Sequence, residues 1–341
     1  GPDGIAEARK NLGIPADAEF YVAPEATAYF AEKKAAFAAA ENEWNKLFDA
    51  WAKANPEKKA QWDAWQKGEP TAAASFPEYK TGDSLATRNA SGAALQAVAA
   101  QYTNLVGGSA DLQGPNVTKM GGDVKDYTPA NPSGRYIRYG IREFAMAAMC
   151  NGIALHGGLR PFCATFMVFA DYLRPALRLS ALMKLPVIYI LTHDSIYVGE
   201  DGPTHQPIET VSALRAIPNV RVMRPADAEE ANVAWQIAAE TNDAPVCLSL
   251  TRQNLTVFEK ADPDWKNTVR CGAYIAQKGA DKPDVTVLAS GSEVTLAIEA
   301  SKLVTGKTVR VVSVLDRELF KAQKEELQNV LIGGASRVVA A

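Results

Sequence analysis

The sequence predicts an α/β fold: a parallel sheet with helices on both faces, an N-terminal helical connector, and a second, incomplete α/β domain. From about residue 85 onward, short apolar strand candidates alternate with amphipathic helices, an order that favours parallel pairing through crossover connections. Residues 1 to about 80 show helical spacing only. The length of 341 residues exceeds what one hydrophobic core usually holds.

The first 80 residues are interpreted as the helical connector. Pro24 can occupy a first helical turn, and apolar side chains from Phe30 to Trp51 recur at helical spacing. Asn55 and Pro56 then cap and restart a second helix. Four of the six tryptophans lie in this segment. Such an aromatic stripe is more often a packing surface than a binding site, so we expect it to lie against a neighbouring domain.

Six short segments are predicted as strands of the first α/β domain, residues 81–258: 105–107, 136–139, 161–165, 187–192, 220–223 and 246–250. The helices expected between them span 143–155, 168–183 and 228–239. The second α/β domain, 259–341, is predicted to contain a strand from Asp284, a helix capped near Ser292 and a strand over 309–314. Residues 337–341 resemble the opening of another strand, so we expect this domain to be incomplete.

Composition excludes several classes of function. The chain has 36 basic and 39 acidic residues, so it lacks the basic footprint of a nucleic-acid-binding protein. It has no run of 18 apolar residues and no signal-peptide layout, so we expect no membrane association. Its cysteines are widely spaced in apolar surroundings, which is typical of reduced, buried thiols and predicts a cytoplasmic protein. They are Cys150, Cys163, Cys247 and Cys271.

The segment 192–207 is the most informative part of the chain. It holds two of the three histidines and three carboxylates, and it follows an apolar run typical of a buried strand. Ligand sites of open α/β sheets lie outside the carboxyl ends of the strands. Polar or aromatic residues follow five predicted strands in this way, so we expect one site at this edge. These residues are Asp111, Glu143, Phe166, Phe169, His193, Asp201, His205 and Arg252.

Several separated motifs resemble transketolase, in order and over essentially the whole chain. The resemblance corresponds to the end of an interdomain connector, the pyrimidine-binding domain and the first part of a C-terminal domain. The motifs are Gly108-Ser-Ala-Asp-Leu112, Tyr139-Gly-Ile-Arg-Glu-Phe144, His156-Gly-Gly158, Thr165-Phe-Met-Val-Phe-Ala-Asp-Tyr172, the loop 192–207 and Leu250-Thr-Arg-Gln-Asn254.

The resemblance implies transfer of a two-carbon ketol unit from a ketose phosphate to an aldose phosphate with thiamine diphosphate. It also implies the pentose phosphate pathway and a homodimer with each site between subunits. Glu143 matches the residue that acts on the cofactor's aminopyrimidine, and His205 matches a histidine beside the reactive carbon. A helix-start glutamate favoured by the macrodipole is the alternative for Glu143. A solvated or capping loop residue is the alternative for His205.

The remaining site residues also come from the resemblance. Phe166, Phe169 and Tyr172 match the aromatic pocket for the pyrimidine ring, with core packing as the alternative for Phe166 and Tyr172. Asp111 resembles a carboxylate near the cofactor, although a turn or cap role fits it almost as well. The basic residues that hold the sugar phosphate correspond to Arg88, His193 and Arg252, and the carboxylate that binds a donor hydroxyl corresponds to Asp201. His156 has no assigned role and is taken as structural.

Two positions depart from the family. Transketolases usually carry a serine where Pro115 stands, and proline has neither the hydroxyl nor a backbone N–H to offer a phosphate. Tyr197 replaces a small residue, which is expected to narrow the mouth of the site.

A larger departure is a missing motif. Thiamine enzymes hold the diphosphate and its Mg²⁺ or Ca²⁺ with Gly-Asp-Gly followed by paired asparagines. Glu200-Asp201-Gly202 is not that motif, and no Asn-Asn pair exists here. We therefore expect the diphosphate-binding domain to be absent, the metal ligands to lie outside this chain, and the chain alone to be inactive. The alternatives are a dihydroxyacetone synthase-like ketol transferase, which would use formaldehyde, and a non-catalytic dimerisation or regulatory module.

Overall fold

The computed structural model describes residues 1–341, which form two compact units, Gly1–Gln61 and Trp62–Ala341. The N-terminal helices are α1 (Pro2–Leu12), α2 (Pro24–Ala54) and α3 (Pro56–Lys67). Pro24 and Pro56 each stand in a first helical turn, as predicted, where a missing N–H costs no hydrogen bond. The aromatic stripe of α2 is only partly covered within its own unit, where Trp44 stacks on Phe48 with ring centroids 5.0 Å apart.

The rest of the chain alternates between strands and helices. The first part comprises β1 (Ser84–Ala86), α4 (Thr87–Gln101), β2 (Leu105–Ser109), α5 (Glu143–His156), β3 (Arg160–Phe166), α6 (Ala170–Leu182), β4 (Ile188–Thr192), α7 (Thr210–Arg215), β5 (Arg221–Met223), α8 (Ala228–Glu240), β6 (Val246–Leu250) and β7 (Asn254–Thr256). The second part comprises α9 (Trp265–Thr268), β8 (Ala273–Gln277), β9 (Val285–Ala289), α10 (Ser292–Ser301), β10 (Val309–Val314), α11 (Arg317–Lys321), α12 (Glu325–Ile332) and β11 (Arg337–Ala340).

A five-stranded parallel sheet in the order β2-β3-β4-β6-β5 confirms the predicted architecture. Both of its faces are buried, because successive side chains of a strand point to opposite sides. In β4, Ile188 and Ile190 enter the core beneath α4 and α8, whereas Tyr189 and Leu191 enter the core beneath α5 and α6. This double burial explains why these strands are uniformly apolar in sequence.

One predicted strand, residues 136–139, does not form a regular strand. Residues 136–139 were expected to make a full strand, but only Tyr136 pairs, as an isolated parallel bridge with Gly107 at the outer edge of β2. The chain then turns through Gly140, whose φ of 68° is left-handed, and enters α5 at Glu143. The bridge still directs Glu143 to the carboxyl edge of the sheet.

A short antiparallel ladder between β1 and β7 was not predicted from the sequence. Its register pairs Ala86 with Asn254, and Thr87 Oγ1 accepts a hydrogen bond from the Thr251 backbone N–H at 2.8 Å. Strands of three residues are too short for a periodic signal. The ladder brings the start of α4, which carries Arg88, beside the loop that carries Arg252.

The second sheet has the order β11-β9-β10-β8, and β8 is antiparallel to β10. The sequence signal at residues 337–341 corresponds to β11, which pairs with β9 from Arg337 to Ala340. No helix is both long and apolar enough to cross a membrane.

Candidate active site

The predicted site residues meet at the carboxyl edge of the parallel sheet. The register aligns the ends of the central strands, with Phe166 beside Thr192 and Thr192 beside Leu250. The loops after these strands therefore leave the sheet at the same edge, as the sequence predicts. The edge carries an aromatic group and a charged group, which contact each other through His193.

The aromatic group contains Phe166, Phe169, Tyr172, His193 and His205. Phe166 is buried, and its ring is nearly parallel to that of Phe169, with centroids 5.9 Å apart. The ring of His193 lies 3.8 Å from that of Phe166, and the ring of His205 lies edge-on to Phe169 at 5.3 Å. Tyr172 is exposed, with its ring 6.0 Å from Phe169. This wall can receive a flat heterocycle.

His193 occupies an unusual position. Its φ of 60° is left-handed, which is uncommon for a residue with a side chain, and it is buried. Thr192 Oγ1 donates to Asn116 Oδ1 at 2.7 Å, so the Nδ1–H of His193, 2.8 Å away, donates to that hydroxyl. Nε2 is left to accept from Arg88 Nη1 at 3.4 Å.

The surroundings of His193 set its charge. Burial, and then the Arg88 guanidinium, lower its pKa from 6.5 to about 4 against the opposing effect of Asp201. The imidazole is therefore neutral near pH 7 and holds Arg88 as a hydrogen-bond acceptor. A neutral imidazole can contact a phosphate only through a hydrogen bond or through Arg88, so the part that His193 takes in holding the sugar phosphate stays a prediction.

The charged group contains Arg88, Asp201 and Arg252. Burial lowers the pKa of Arg88, Arg252 lowers it further, and Asp201 raises it, so all three lie within electrostatic reach of one another. The Arg252 guanidinium lies close over Gly199, where a Cβ would come within 3.1 Å of its central carbon. Two guanidinium groups at one edge form a suitable site for a phosphate.

Pro115 has a role that the sequence did not indicate. Its carbonyl oxygen accepts a hydrogen bond from Arg88 Nη1 at 2.9 Å. The residue that lacks the family's hydroxyl thus helps to orient a guanidinium group. Asn116 and Thr192 were also missed, although both lie next to residues that the motifs include. Tyr197 is exposed, and no side-chain contact links it to the site.

Glu143 and Asp111 lie at the same edge without a direct contact to either group. The Glu143 side chain, at the first position of α5, is only 8% exposed, and no hydrogen bond to its carboxylate forms within the chain. The carboxylate is therefore available to a donor from outside the chain. Asp111 is exposed with a φ of 57°, which fits the turn role given as its alternative.

The chain has no group of three or more His, Cys, Asp or Glu side chains that could hold a metal ion. His156 is exposed at the far end of α5, away from this edge of the sheet.

Fold and site together define an α/β protein with an aromatic wall and two guanidinium groups at the carboxyl edge of a parallel sheet. Residues 83–257 match the family model described as Transketolase, pyrimidine binding domain, and residues 272–341 match the Transketolase-like TK C-terminal domain. Residues 1–70 match the Transketolase, thiamine diphosphate binding domain. The chain belongs to the transketolase family.

Individual relatives agree with this assignment. A transketolase of Treponema pallidum is 52% identical over 346 residues, covering 100% of this chain and 52% of the relative. The transketolase structure from Leishmania mexicana has a TM-score of 0.90 at 37% identity and covers 100% of this chain and 51% of its own. A Pichia stipitis transketolase in complex with sedoheptulose 7-phosphate has a TM-score of 0.88 at 38% identity, covering 97% and 50%. The chain thus spans about half the length of these relatives.

These matches bear on three expectations. The diphosphate-binding domain is not absent, because residues 1–70 match its family model. The prediction was wrong because it rested on two missing motifs, Gly-Asp-Gly and paired asparagines, whereas residues 1–70 show only helical periodicity. The expected inactivity of this chain rested on that absence and is therefore not supported. The match of residues 272–341 to the C-terminal domain likewise gives no support for an incomplete second domain.

Proposed function

We propose that the protein transfers a two-carbon ketol unit from a ketose phosphate to an aldose phosphate with thiamine diphosphate, as in the pentose phosphate pathway. The observation that carries this proposal is the convergence of Arg88, Arg252, Asp201 and His205 beside the paired rings of Phe166 and Phe169. A sugar phosphate needs cations for its phosphate and polar groups for its hydroxyls. The cofactor needs an aromatic wall.

The residues of this chain fit the pyrimidine half of the cofactor. Phe169 offers a half-buried ring for stacking, and the unpartnered Glu143 carboxylate can bind a protonated pyrimidine nitrogen. When bound, thiamine diphosphate supplies the carbon nucleophile that accepts the ketol unit. In this assignment Glu143 holds a proton at the pyrimidine and Asp201 accepts a hydrogen bond from a donor hydroxyl.

The basic residues of the site have different roles. Arg88 and Arg252 pair with the phosphate, whereas neutral His193 orients Arg88 through Nε2. His205 carries its Nδ1 2.9 Å from Thr204 Oγ1, which leaves Nε2 to exchange a proton with the substrate. Phe166 supports both the Phe169 ring and the His193 ring. Tyr172 extends the aromatic wall towards solvent, and Asp111 shapes the turn after β2.

We also propose domain boundaries, a cellular location and an oligomeric state for the protein. We assign residues 1–80 to a helical segment that includes the match to the thiamine diphosphate-binding domain over residues 1–70, 81–258 to the pyrimidine-binding domain and 259–341 to the C-terminal domain. Four free cysteines, three of them buried, support a cytoplasmic location. Exposed apolar side chains at the start of α5, Ile141 and Phe144, support a homodimer with the site at the subunit interface.

An acceptor comparison tests the function. The natural protein that contains these 341 residues is supplied with thiamine diphosphate, a divalent cation and a ketose phosphate, and product formation is measured with ribose 5-phosphate or with formaldehyde. We expect transfer to ribose 5-phosphate to predominate. Preference for formaldehyde would favour a dihydroxyacetone synthase-like activity. Absence of transfer to either acceptor would refute the proposal.

A further inference from the structure

The Ser290–Glu293 segment, between β9 and the first turn of α10, contacts Arg224 at the end of β5. Arg224 Nη1 donates to Glu293 Oε2 at 2.6 Å and to the Ser290 carbonyl oxygen at 3.0 Å. The Gly291 backbone N–H donates to the Arg224 carbonyl oxygen at 3.1 Å. Gly291 has a φ of 64°, and a Cβ there would lie 2.9 Å from the guanidinium carbon. Glycine is therefore needed for this close approach.

The other side of Arg224 binds Asp194. Nε and Nη2 both donate to Asp194 Oδ2, at 3.3 and 3.2 Å, and Ser249 Oγ adds a weaker contact to the same oxygen at 3.4 Å. The Asp194 side chain is enclosed, and its second oxygen has no hydrogen-bond partner. Burial raises the pKa of Asp194 and the Arg224 guanidinium opposes that rise. Arg224 is thus the main partner of a buried carboxylate.

Asp194 directly follows His193, whose left-handed backbone is held from both sides. A residue with a side chain in this region costs about 1–3 kcal/mol unless its surroundings fix it. Thr192 holds the backbone before His193, because it is the last residue of β4 and its hydroxyl is hydrogen-bonded to the imidazole. Asp194, bound by Arg224, fixes the following side. The orientation of the His193 ring towards Arg88 depends on both.

We propose that Glu293 and Arg224 are positioning residues that connect the second α/β domain to the substrate site. By holding Asp194, they keep His193 in its left-handed conformation, so that Nε2 faces Arg88 and Arg88 faces the phosphate of the donor. Neither residue touches substrate. The expected effect on the donor phosphate rests on the function proposed above, whereas the effect on His193 does not.

The test uses Glu293→Gln, because loss of Arg224 would leave Asp194 buried without a countercharge and could prevent folding. In Glu293→Gln, Arg224 keeps Asp194 but loses its charged partner on α10. The matched control is Glu299→Gln on the same helix, where an exposed glutamate pairs only with Lys302. Both variants are made in the natural protein that contains this chain.

The kinetic readout compares two donors. For Glu293→Gln, the KM of a ketose phosphate is expected to rise about 3- to 10-fold, the factor that one ordinary hydrogen bond is worth. We expect kcat and the KM of an unphosphorylated ketose to stay within about 2-fold of the wild-type values. A change of that size is smaller than the loss of one neutral hydrogen bond would cause. Equal losses for both donors would mean a general structural defect and would overturn the proposal.

The second readout needs no activity. This chain has three histidines, so imidazole ¹H–¹⁵N NMR, with the His193 signals assigned through a His193→Gln variant, can follow His193, with exposed His156 as an internal reference. We expect the His193 signals to shift in Glu293→Gln and not in Glu299→Gln. Unchanged His193 signals would overturn the proposal whether or not the protein transfers ketol groups. A protein without transferase activity but with the His193 shift would refute only the proposed function.

Discussion

At the scale of single residues, His193 shows how surroundings set the charge of a side chain. In sequence it is one basic residue of a polar loop, and its motif matches residues that hold a sugar phosphate. In the fold, burial and Arg88 lower its pKa to about 4, so that it acts as an acceptor near neutral pH. Asp194, one residue on, is buried on the opposite side of the backbone against Arg224. Adjacent residues in the sequence thus serve two different networks.

Glu143 gives the most direct residue-scale prediction. In Glu143→Gln, we expect kcat to fall about 10²- to 10⁴-fold, because a carboxylate that moves or holds a proton contributes an effect of this size. The free energy of unfolding should fall by no more than about 1 kcal/mol, the usual value of a charge at a helix N-terminus. Steady-state kinetics and urea unfolding measure the two quantities.

Glu259→Gln is the matched control for Glu143→Gln. Glu259 is exposed, and its side chain has no hydrogen bond or ion pair, so neither kcat nor stability should change. Near-normal turnover in Glu143→Gln would remove Glu143 from the proposed role and would leave the helix-start interpretation.

At the scale of elements, the close approach of β2 to its neighbours depends on Gly107. This residue bridges Tyr136 on one side and pairs with Phe162 of β3 on the other. A Cβ built on Gly107 would overlap the Phe162 carbonyl oxygen, which belongs to the strand backbone and cannot move away. We expect Gly107→Ala to lower the free energy of unfolding by about 2–4 kcal/mol, as steric strain in a packed core does.

Gly152→Ala in α5 is the control for Gly107→Ala, because it is expected to raise the free energy of unfolding rather than to lower it. No heavy atom lies within 4 Å of a Cβ at Gly152, and alanine favours the helix by about 0.5–1 kcal/mol. Urea unfolding of both variants checks the pair. Equal stability of Gly107→Ala and the wild type would contradict the packing of β2 against β3.

At the scale of the whole molecule, Glu230 joins the two α/β domains. This residue of α8 accepts hydrogen bonds from Tyr274 Oη of β8 at 2.8 Å and from Ser313 Oγ of β10 at 2.7 Å. Its other oxygen accepts from the Ala226 backbone N–H at 2.8 Å. Burial, and then the nearby Asp227 carboxylate, raise its pKa from 4.5 to about 7. A single carboxyl group therefore links domain docking to pH.

The sign of the pH dependence follows from linkage. Between about pH 4.5 and 7 the folded protein keeps the Glu230 proton that the unfolded chain has released. The contribution of Glu230 to stability is therefore present below pH 4.5 and is lost as the pH rises through 7, by on the order of 1–3 kcal/mol. His193 acts in the opposite direction, because its lowered pKa removes stability as the pH falls from 6.5 towards 4.

Glu230→Gln separates these two effects. Glutamine cannot ionise, so the difference in unfolding free energy between the wild type and Glu230→Gln should decrease as the pH rises from 5 to 8, as measured by urea unfolding. Glu240→Gln, at the exposed end of the same helix, should leave the pH profile unchanged. A difference that is constant with pH would show that Glu230 has an ordinary pKa in the folded protein.

The sequence by itself determined the elements of the parallel sheet and the edge where its polar residues meet. Uniformly apolar strands that alternate with helices allow few arrangements, and residues just beyond parallel strands must lie at one edge. It did not reveal the three-residue strands β1 and β7 or the antiparallel β8, because short or edge strands leave little periodic signal. The domain to which residues 1–70 belong was predicted wrongly, because helical periodicity does not distinguish one helical domain from another.

Only the tertiary structure decided how the site residues are charged and held. The neutral state of His193 depends on Arg88, 105 residues away in the chain. The positions of Arg88 and Asp194 depend likewise on Pro115 and Arg224, 27 and 30 residues distant. The physical reason is that burial and charge–charge energies vary with distances in space, and the order of residues along the chain leaves those distances open.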